Sequence, residues 1–252
     1  MDAYRYTDEK SDKFWRIECA GNDFAVNYGK TGSTGKYQIK EFDNAEECDQ
    51  QAKKLIASKV RGGYRPYPEF DPDQQLYIDD EEVGLHRLTS HPHFRSHFTD
   101  DFYYDCADEE APFGSDEGAD TLAELQDSLR KNRHIDYEHY PQHVMTDVWE
   151  MEYLPPDSLD RDIITAMIAE PNDDIPVSQL LMINDQVIVA SALGQIKIMG
   201  AVEPGLKELA VRAMQRLLIV TELDGLDDSP TIRTMIDDLG SFNNPHGQDE
   251  HR

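Results

Sequence analysis

Long apolar runs are missing from this chain of 252 residues, and so is an apolar leader. The strongest apolar stretch, VIVASALG at 187–194, falls far short of the roughly 20 residues that a bilayer-spanning helix takes. Residues 1–13 (MDAYRYTDEKSDK) contain no apolar segment, so no signal peptide is expected there. Cysteine is scarce. Cys19, Cys48 and Cys106 are odd in number and at no ligand-like spacing, which excludes a disulfide framework and fits a reduced, cytoplasmic compartment. Cys19 and Cys48 read as buried, and Cys106 stands among acids that raise a thiol's pKa. The nucleophile elbow G-x-S-x-G is absent. The expectation is therefore a protein that is not an enzyme and needs no cofactor.

Positive charge is also short. Lys and Arg total 24 against 51 Asp and Glu, a net charge of -27, while 38% hydrophobic residues still support packed cores. The imbalance is local. Residues 1–66 hold 12 basic and 11 acidic side chains, and residues 67–252 hold 12 and 40. Such asymmetry predicts two units with different roles, the second repelling nucleic acid and anionic lipid.

Residues 14–19 (FWRIEC), 24–28 (FAVNY) and 37–42 (YQIKEF) alternate apolar and polar, the period of half-buried strands, and short Gly-rich loops between them predict an antiparallel meander. Asn44 with Glu47 three residues on reads as a capping box, and Gly62-Gly63 ends the helix that follows. The loop GKTGSTGK at 29–36 imitates a phosphate-binding loop. However, Lys30 stands where its first Gly belongs, Tyr37 replaces the Ser/Thr, and no helix opens behind it. Nucleotide binding of that type is not expected.

The strand FWRIE, the tripeptide Tyr28-Gly29-Lys30 before TGSTGK, the strand ending KEF and the helix ending at Gly63-Tyr64 together resemble the WGR domain, a small sheet-plus-helix module. The resemblance covers residues 14–66. In DNA-dependent ADP-ribosyltransferases the domain's Trp packs on the sugar at a DNA end and its Arg makes polar contacts nearby. By position those roles fall to Tyr28 and Lys30, with Gly29 between them and Lys36 at the end of the loop. Tyr keeps an aromatic face, whereas Lys loses the two-pronged donor of Arg. The near-neutral charge of the module also departs from the basic footprint of a strong DNA binder.

Residues 64–82, with three Pro and many acids, read as a linker. Beyond it, His93 and His97 are four apart, the helical spacing of zinc ligands. Without HExxH, and with Phe94, Phe98 and Phe102 forming an aromatic stripe, core is expected and no metal. The acidic stretch 108–120 lacks the EF-hand order. It reads as the approach to a helix capped at Thr121 with Glu124, the question of a bound cation staying open. The segment HPHFRSHFTDDFYYDCADEEAPFGSDEGADTL resembles bacterial WGR proteins of the YfeS type, which implies an architecture and no mechanism. Residues 204–223 are a strongly amphipathic helix behind Pro204. Residues 178–199 suit close helix packing, yet VIVA at 187–190 suits a strand equally.

The expected fold class is α+β: an N-terminal tail (1–13), a WGR-like antiparallel sheet with one helix (14–66), a linker (67–85), an acidic, mainly helical domain (86–240) and a C-terminal tail (241–252). The expected function is non-enzymatic binding, to nucleic-acid ends or a protein, through Tyr28, Gly29, Lys30 and Lys36. The alternative is an acidic protein-interaction module that neutralises a basic partner without touching nucleic acid. No membrane partner is expected.

Overall fold

The computed structural model describes residues 1–131, 134–172 and 175–245. The fold is α+β, and the chain forms two compact units, Met1–Pro92 and His93–Arg252.

The first unit is an antiparallel sheet of five strands, β1 (Asp2–Thr7), β2 (Asp12–Ala20), β3 (Asp23–Lys30), β4 (Lys36–Glu41) and β5 (Arg65–Pro66), in the order β4-β3-β2-β1-β5. Helix α1 (Ala45–Arg61) starts where Asn44 Oδ1 accepts the Glu47 N–H at 2.9 Å and lies on one face of the sheet. Because strand side chains alternate, Trp15, Ile17, Phe24 and Val26 all reach that face, where Cys48 and Ala52 of α1 complete the core.

Two expected boundaries change. Residues 1–13, read as a tail, contain β1, whose Tyr4 and Tyr6 stand opposite Trp15 and Lys13. Aromatic residues supply the alternation there in place of aliphatic ones. Residues 67–85, read as a linker, belong to the compact unit, which runs on to Pro92. Residues of the stretch 67–92 cover the second face of the sheet. Phe70 stacks on Phe14 with centroids 6.3 Å apart, Leu88 packs with Ala25 and Ile39, and Asp80 Oδ2 accepts the Ile39 N–H at 2.6 Å. The centre of this layer is Arg16, 3% exposed. Its guanidinium donates to Asn27 Oδ1 (3.2 Å), to Tyr77 Oη (2.9 Å) and to Tyr37 Oη, and it lies 4.5 Å from the Tyr77 ring centroid. Cys19, read as buried, is exposed near the end of β2, while Cys48 is buried.

The second unit is helical: α2 (Pro92–His97), α3 (Asp116–Arg130), α4 (Tyr140–His143, continued by a π turn to Val148), α5 (Arg161–Ile168), α6 (Val177–Met199), α7 (Pro204–Leu223) and α8 (Pro230–Ser241). The stretch left between helix and strand is one helix, α6, ended by Gly200 in the left-handed region at φ 76°. By length and composition α6 matches a membrane span, unlike the eight residues weighed from sequence, but 72% of its most apolar part is buried. Leu122 and Leu125 of α3 close on Gly194, where an added Cβ would stand 3.2 Å from Leu125 Cδ2. Helix α3 begins at Asp116, capped by Ser115 Oγ accepting the Gly118 N–H at 3.1 Å. Thr121, read as the cap, lies inside the helix and donates to the Glu117 carbonyl.

Asp185 of α6 and Arg216 of α7 form a salt bridge inside the helical unit, 0% and 2% exposed in their side chains, with Nη2 to Oδ1 at 2.7 Å. Arg216 also donates to the carbonyls of Leu154 (2.7 Å) and Pro155 (2.9 Å), and Asn184 holds the Leu154 N–H at 2.8 Å. The pair thus fixes an otherwise irregular segment against two helices.

The C-terminal tail begins later than expected. Phe242 is buried, and Asn244 bonds both the N–H (2.9 Å) and the carbonyl (2.8 Å) of Val202. Residues 246–252 of that expected tail lie outside the described residues.

Candidate functional site

The register of the sheet decides what surrounds Tyr28. Residues directly opposite in an antiparallel ladder project to the same face. Tyr28 stands between Trp15 on β2 and Lys36 on β4, and Lys30 stands opposite Lys13, which in turn faces Tyr6. Tyr28, Lys30, Lys36 and Lys13 therefore share the face on which α1 lies. Gly29 points to the other face.

The same alternation sorts charge across β1 to β4. The helix-side face receives Lys13, Lys30, Lys36 and Lys40 against one acid, Asp2. The opposite face receives Asp12, Glu18, Asp23 and Glu41 with Arg5 and Arg16. The near-neutral sum read from the sequence conceals two faces of opposite sign. Lys13 directly opposite Lys30 is a like-charge pair, unfavourable in an empty sheet and relieved by an anion. Neither ammonium has a carboxylate within ion-pair distance among the described residues, whereas Lys36 reaches Glu81 at 3.2 Å. That contact raises the pKa of Lys36.

Tyr28 is half-buried and packs on the Trp15 cluster. The Lys59 ammonium, from the last turn of α1, sits 5.4 Å from the Trp15 ring centroid, 6.0 Å from Tyr28 and 5.5 Å from Tyr64. Partial burial lowers the Lys59 pKa, and the three aromatic faces stabilise its charged form by cation–π attraction. Sequence reasoning missed Lys13 and Lys59. Only the strand register and the way α1 crosses the sheet bring them to Tyr28.

Gly29 serves the loop. A Cβ there would come 2.8 Å from Gly35 Cα and 2.9 Å from Ser33 Oγ, because the loop folds back over the strand. A Cβ on Gly35, at φ 73°, would come equally close to Phe14 and Asn27. Asn27 Nδ2 donates to the carbonyls of Thr34 (3.1 Å) and Lys36 (3.3 Å). Gly29 thus permits the close approach that presents Lys30 and Lys36, and contributes no contact of its own.

Asp12 anchors the start of the loop. It accepts from Arg5 Nε at 2.7 Å and from Thr31 Oγ1 at 2.7 Å, and its carbonyl accepts the Thr31 N–H at 3.1 Å. The Arg5 hydrogen bond, then Thr31, hold its carboxyl down to about 2. A folded-state pKa below the ordinary value makes this contribution full above about pH 4 and lost as pH falls through about 2. Asp12→Asn is accordingly expected to flatten acid unfolding of the first unit between those values. A carboxyl NMR titration in which Asp12 titrates at its ordinary value would contradict this.

Elsewhere, His97 Nε2 is taken up by the Asp238 carbonyl at 2.7 Å, while Phe94 and Phe98 are fully buried, as core. Within 108–120, Glu110 Oε2 accepts from Ser229 Oγ at 2.8 Å, and Asp108 Oδ1 accepts the Glu110 N–H at 3.0 Å. Among the described residues no three His, Cys, Asp or Glu gather as a metal-binding set.

Residues 1–71 match the WGR domain family, thirteen residues earlier than the sequence reading began, which takes in β1. Over 246 residues the chain is 45% identical to "Uncharacterized protein YfeS" of Escherichia coli (strain K12), covering 96% of this chain and 97% of that protein. The chain belongs to the YfeS family of WGR-domain proteins. A second relative, "Protein YehF" of the same organism, is 44% identical over 64 residues, covering 25% of this chain and 23% of its own. Only a WGR-sized portion is therefore shared with YehF, whereas the YfeS likeness runs through both units. A solved protein of Bacteroides fragilis is 31% identical with a TM-score of 0.27, covering 41% of this chain and 30% of its own. The family match takes in Tyr28-Gly29-Lys30, and the sheet register places Lys13 and Lys36 beside these residues.

Proposed function

We propose that this YfeS-family protein is a non-enzymatic binding protein whose WGR unit contacts the end of a nucleic-acid strand through Tyr28, Lys30, Lys13 and Lys36. The observation that carries the reading is the segregation of charge by the sheet, which brings Lys13, Lys30 and Lys36 to the same face as Tyr28, beside it in the ladder. Ammonium groups meet the phosphates, and the exposed part of Tyr28 packs on a sugar or base at the end. The Tyr28 hydroxyl has no hydrogen-bond partner in the protein among the described residues, which leaves it available to a polar ligand atom. Strong acidity over the rest of the chain weakens long-range attraction, so the affinity is modest and confined to low salt.

Fluorescence anisotropy with nicked, blunt and single-stranded DNA tests this. Three to four phosphate contacts correspond to a slope of about -2 to -4 in log K against log salt. Lys13→Glu with Lys30→Glu is expected to abolish measurable binding while leaving the circular dichroism melt unchanged. Absence of binding to all three DNAs at 20–50 mM salt, about the low end at which electrostatic affinity is strongest, would end the nucleic-acid reading. The 40 acidic side chains of residues 67–252 favour the second reading, a basic protein partner. It predicts salt-labile association that the two lysine substitutions leave intact.

A further inference from the structure

A groove opens on the same face of the sheet, four residues along β3 from Tyr28 and so about 13 Å away. It exists because β4 divides its side chains. Tyr37 and Ile39 are buried on the far face, while Gln38 and Lys40 on the helix side are exposed and leave the edge of α1 uncovered. Phe24, Phe42 and Leu55 form its apolar floor, the two Phe rings tilted at 41° with centroids 5.2 Å apart. Lys40 and Lys54 stand at its rim with Gln51 and Ser58, and the volume is about 270 Å3. Neither rim ammonium has a carboxylate partner among the described residues.

We propose that this groove takes one unpaired nucleobase, so that the protein prefers a strand end with a single-stranded overhang to a blunt end. The inference rests on the nucleic-acid reading of the Tyr28 face and extends it. The groove supplies what a nucleotide asks for. The partly exposed Phe42 ring, backed by the buried Phe24, gives a base an aromatic face, the Gln51 amide offers a donor and an acceptor to a base edge, and two cations face the adjoining phosphates. The ladder between the two places is continuous in kind: Lys36 opposes Tyr28, Gln38 opposes Val26 and Lys40 opposes Phe24. A strand of a few nucleotides laid along β4 meets a lysine at each end. An acidic peptide with an aromatic side chain satisfies the cations and the floor but gives Gln51 and the Lys36 end no role.

The test compares a blunt hairpin DNA with the same hairpin bearing a four-nucleotide overhang, by anisotropy at low salt, on the full chain. The overhang is expected to bind about tenfold tighter, the scale of one stacked base. Ser58→Trp, on the exposed rim, is expected to fill the groove and remove that preference while blunt-end affinity stays unchanged. Gln51→Ala, which removes the amide without adding bulk, is expected to weaken only the overhang complex. In NMR spectra, thymidine monophosphate is expected to shift the amides of Gln51, Leu55 and Ser58, and inorganic phosphate alone to leave Leu55 unmoved. Equal affinity for the two hairpins overturns the groove assignment and leaves the Tyr28 reading standing. Failure of both hairpins to bind overturns both readings. Displacement of the overhang, but not the blunt end, by a Glu- and Phe-containing peptide assigns the groove to a protein ligand and overturns the proposal.

Discussion

Replacing Arg216 by Met is expected to remove about 3–5 kcal/mol of stability, the cost of leaving one member of a buried ion pair behind. Asp185 has no route to solvent: its side chain is 0% exposed, and Arg216 supplies both Nε and Nη2 to its oxygens. The Arg216 variant also strands the Leu154 and Pro155 carbonyls, which adds to the penalty. The pH dependence identifies the cause. Burial pushes the Asp185 carboxyl up to about 7, with Arg216 pulling the other way. A raised carboxyl binds its proton more tightly in the folded state than in the unfolded one. Its contribution is therefore full below about pH 4 and is lost as pH rises through 7. Without Arg216 the carboxyl rises further, so the variant is expected to lose more at pH 8–9 than at pH 5. Adding Asp185→Leu is expected to return most of the loss and to flatten the pH dependence, because no buried charge is left. Urea unfolding of the parent chain and the two variants at two pH values measures this. Equal losses for Arg216→Met at both values would mean that packing, not the uncompensated carboxylate, holds α6 to α7.

Parts of this fold are plain in the sequence because they are local. The alternation of FWRIEC and FAVNY, the cap at Asn44 and the glycines after Arg61 each concern a few neighbouring residues, and β2, β3 and α1 follow from them. Tyr28 and Lys30 are likewise singled out by a local tripeptide. Their surroundings are not, since Lys13 reaches Lys30 only through the register that the Gly21-Asn22 turn imposes, and Lys40 reaches Phe24 only through the longer loop at 31–35. A count of charges sums over both faces and reports neutrality, while the pleat separates them. The uniform apolarity of α6 defeats the period for a related reason. A helix buried on nearly every side shows no polar face, so its residues carry no helical signature beyond their length.

Residues 67–85, read as a linker, are the instructive failure, together with 86–92, read as part of the helical domain, and Arg16 is the place to test why. Prolines and acids mark a connector, yet Phe70, Tyr77 and Leu88 return to the sheet at irregular intervals, following a surface already built in place of a period of their own. What receives them is a charged side chain in the middle of a strand, which pattern reading assigns to solvent. Arg16→Leu is expected to cost about 2–4 kcal/mol. It takes a buried donor away from Asn27 Oδ1 and from the Tyr37 and Tyr77 hydroxyl oxygens, and it removes cation–π contacts with Tyr37, Phe70 and Tyr77. Asn44→Ala at the cap of α1 provides the comparison, at about 1 kcal/mol. The two are expected to differ in kind as well as size. Limited proteolysis of Arg16→Leu should cut first within 67–85, while β2, β3 and α1 still resist, whereas Asn44→Ala should open α1 and spare that segment. First cleavage of Arg16→Leu inside α1 would show that the arm is held by its aromatic rings alone and that the guanidinium is incidental to it.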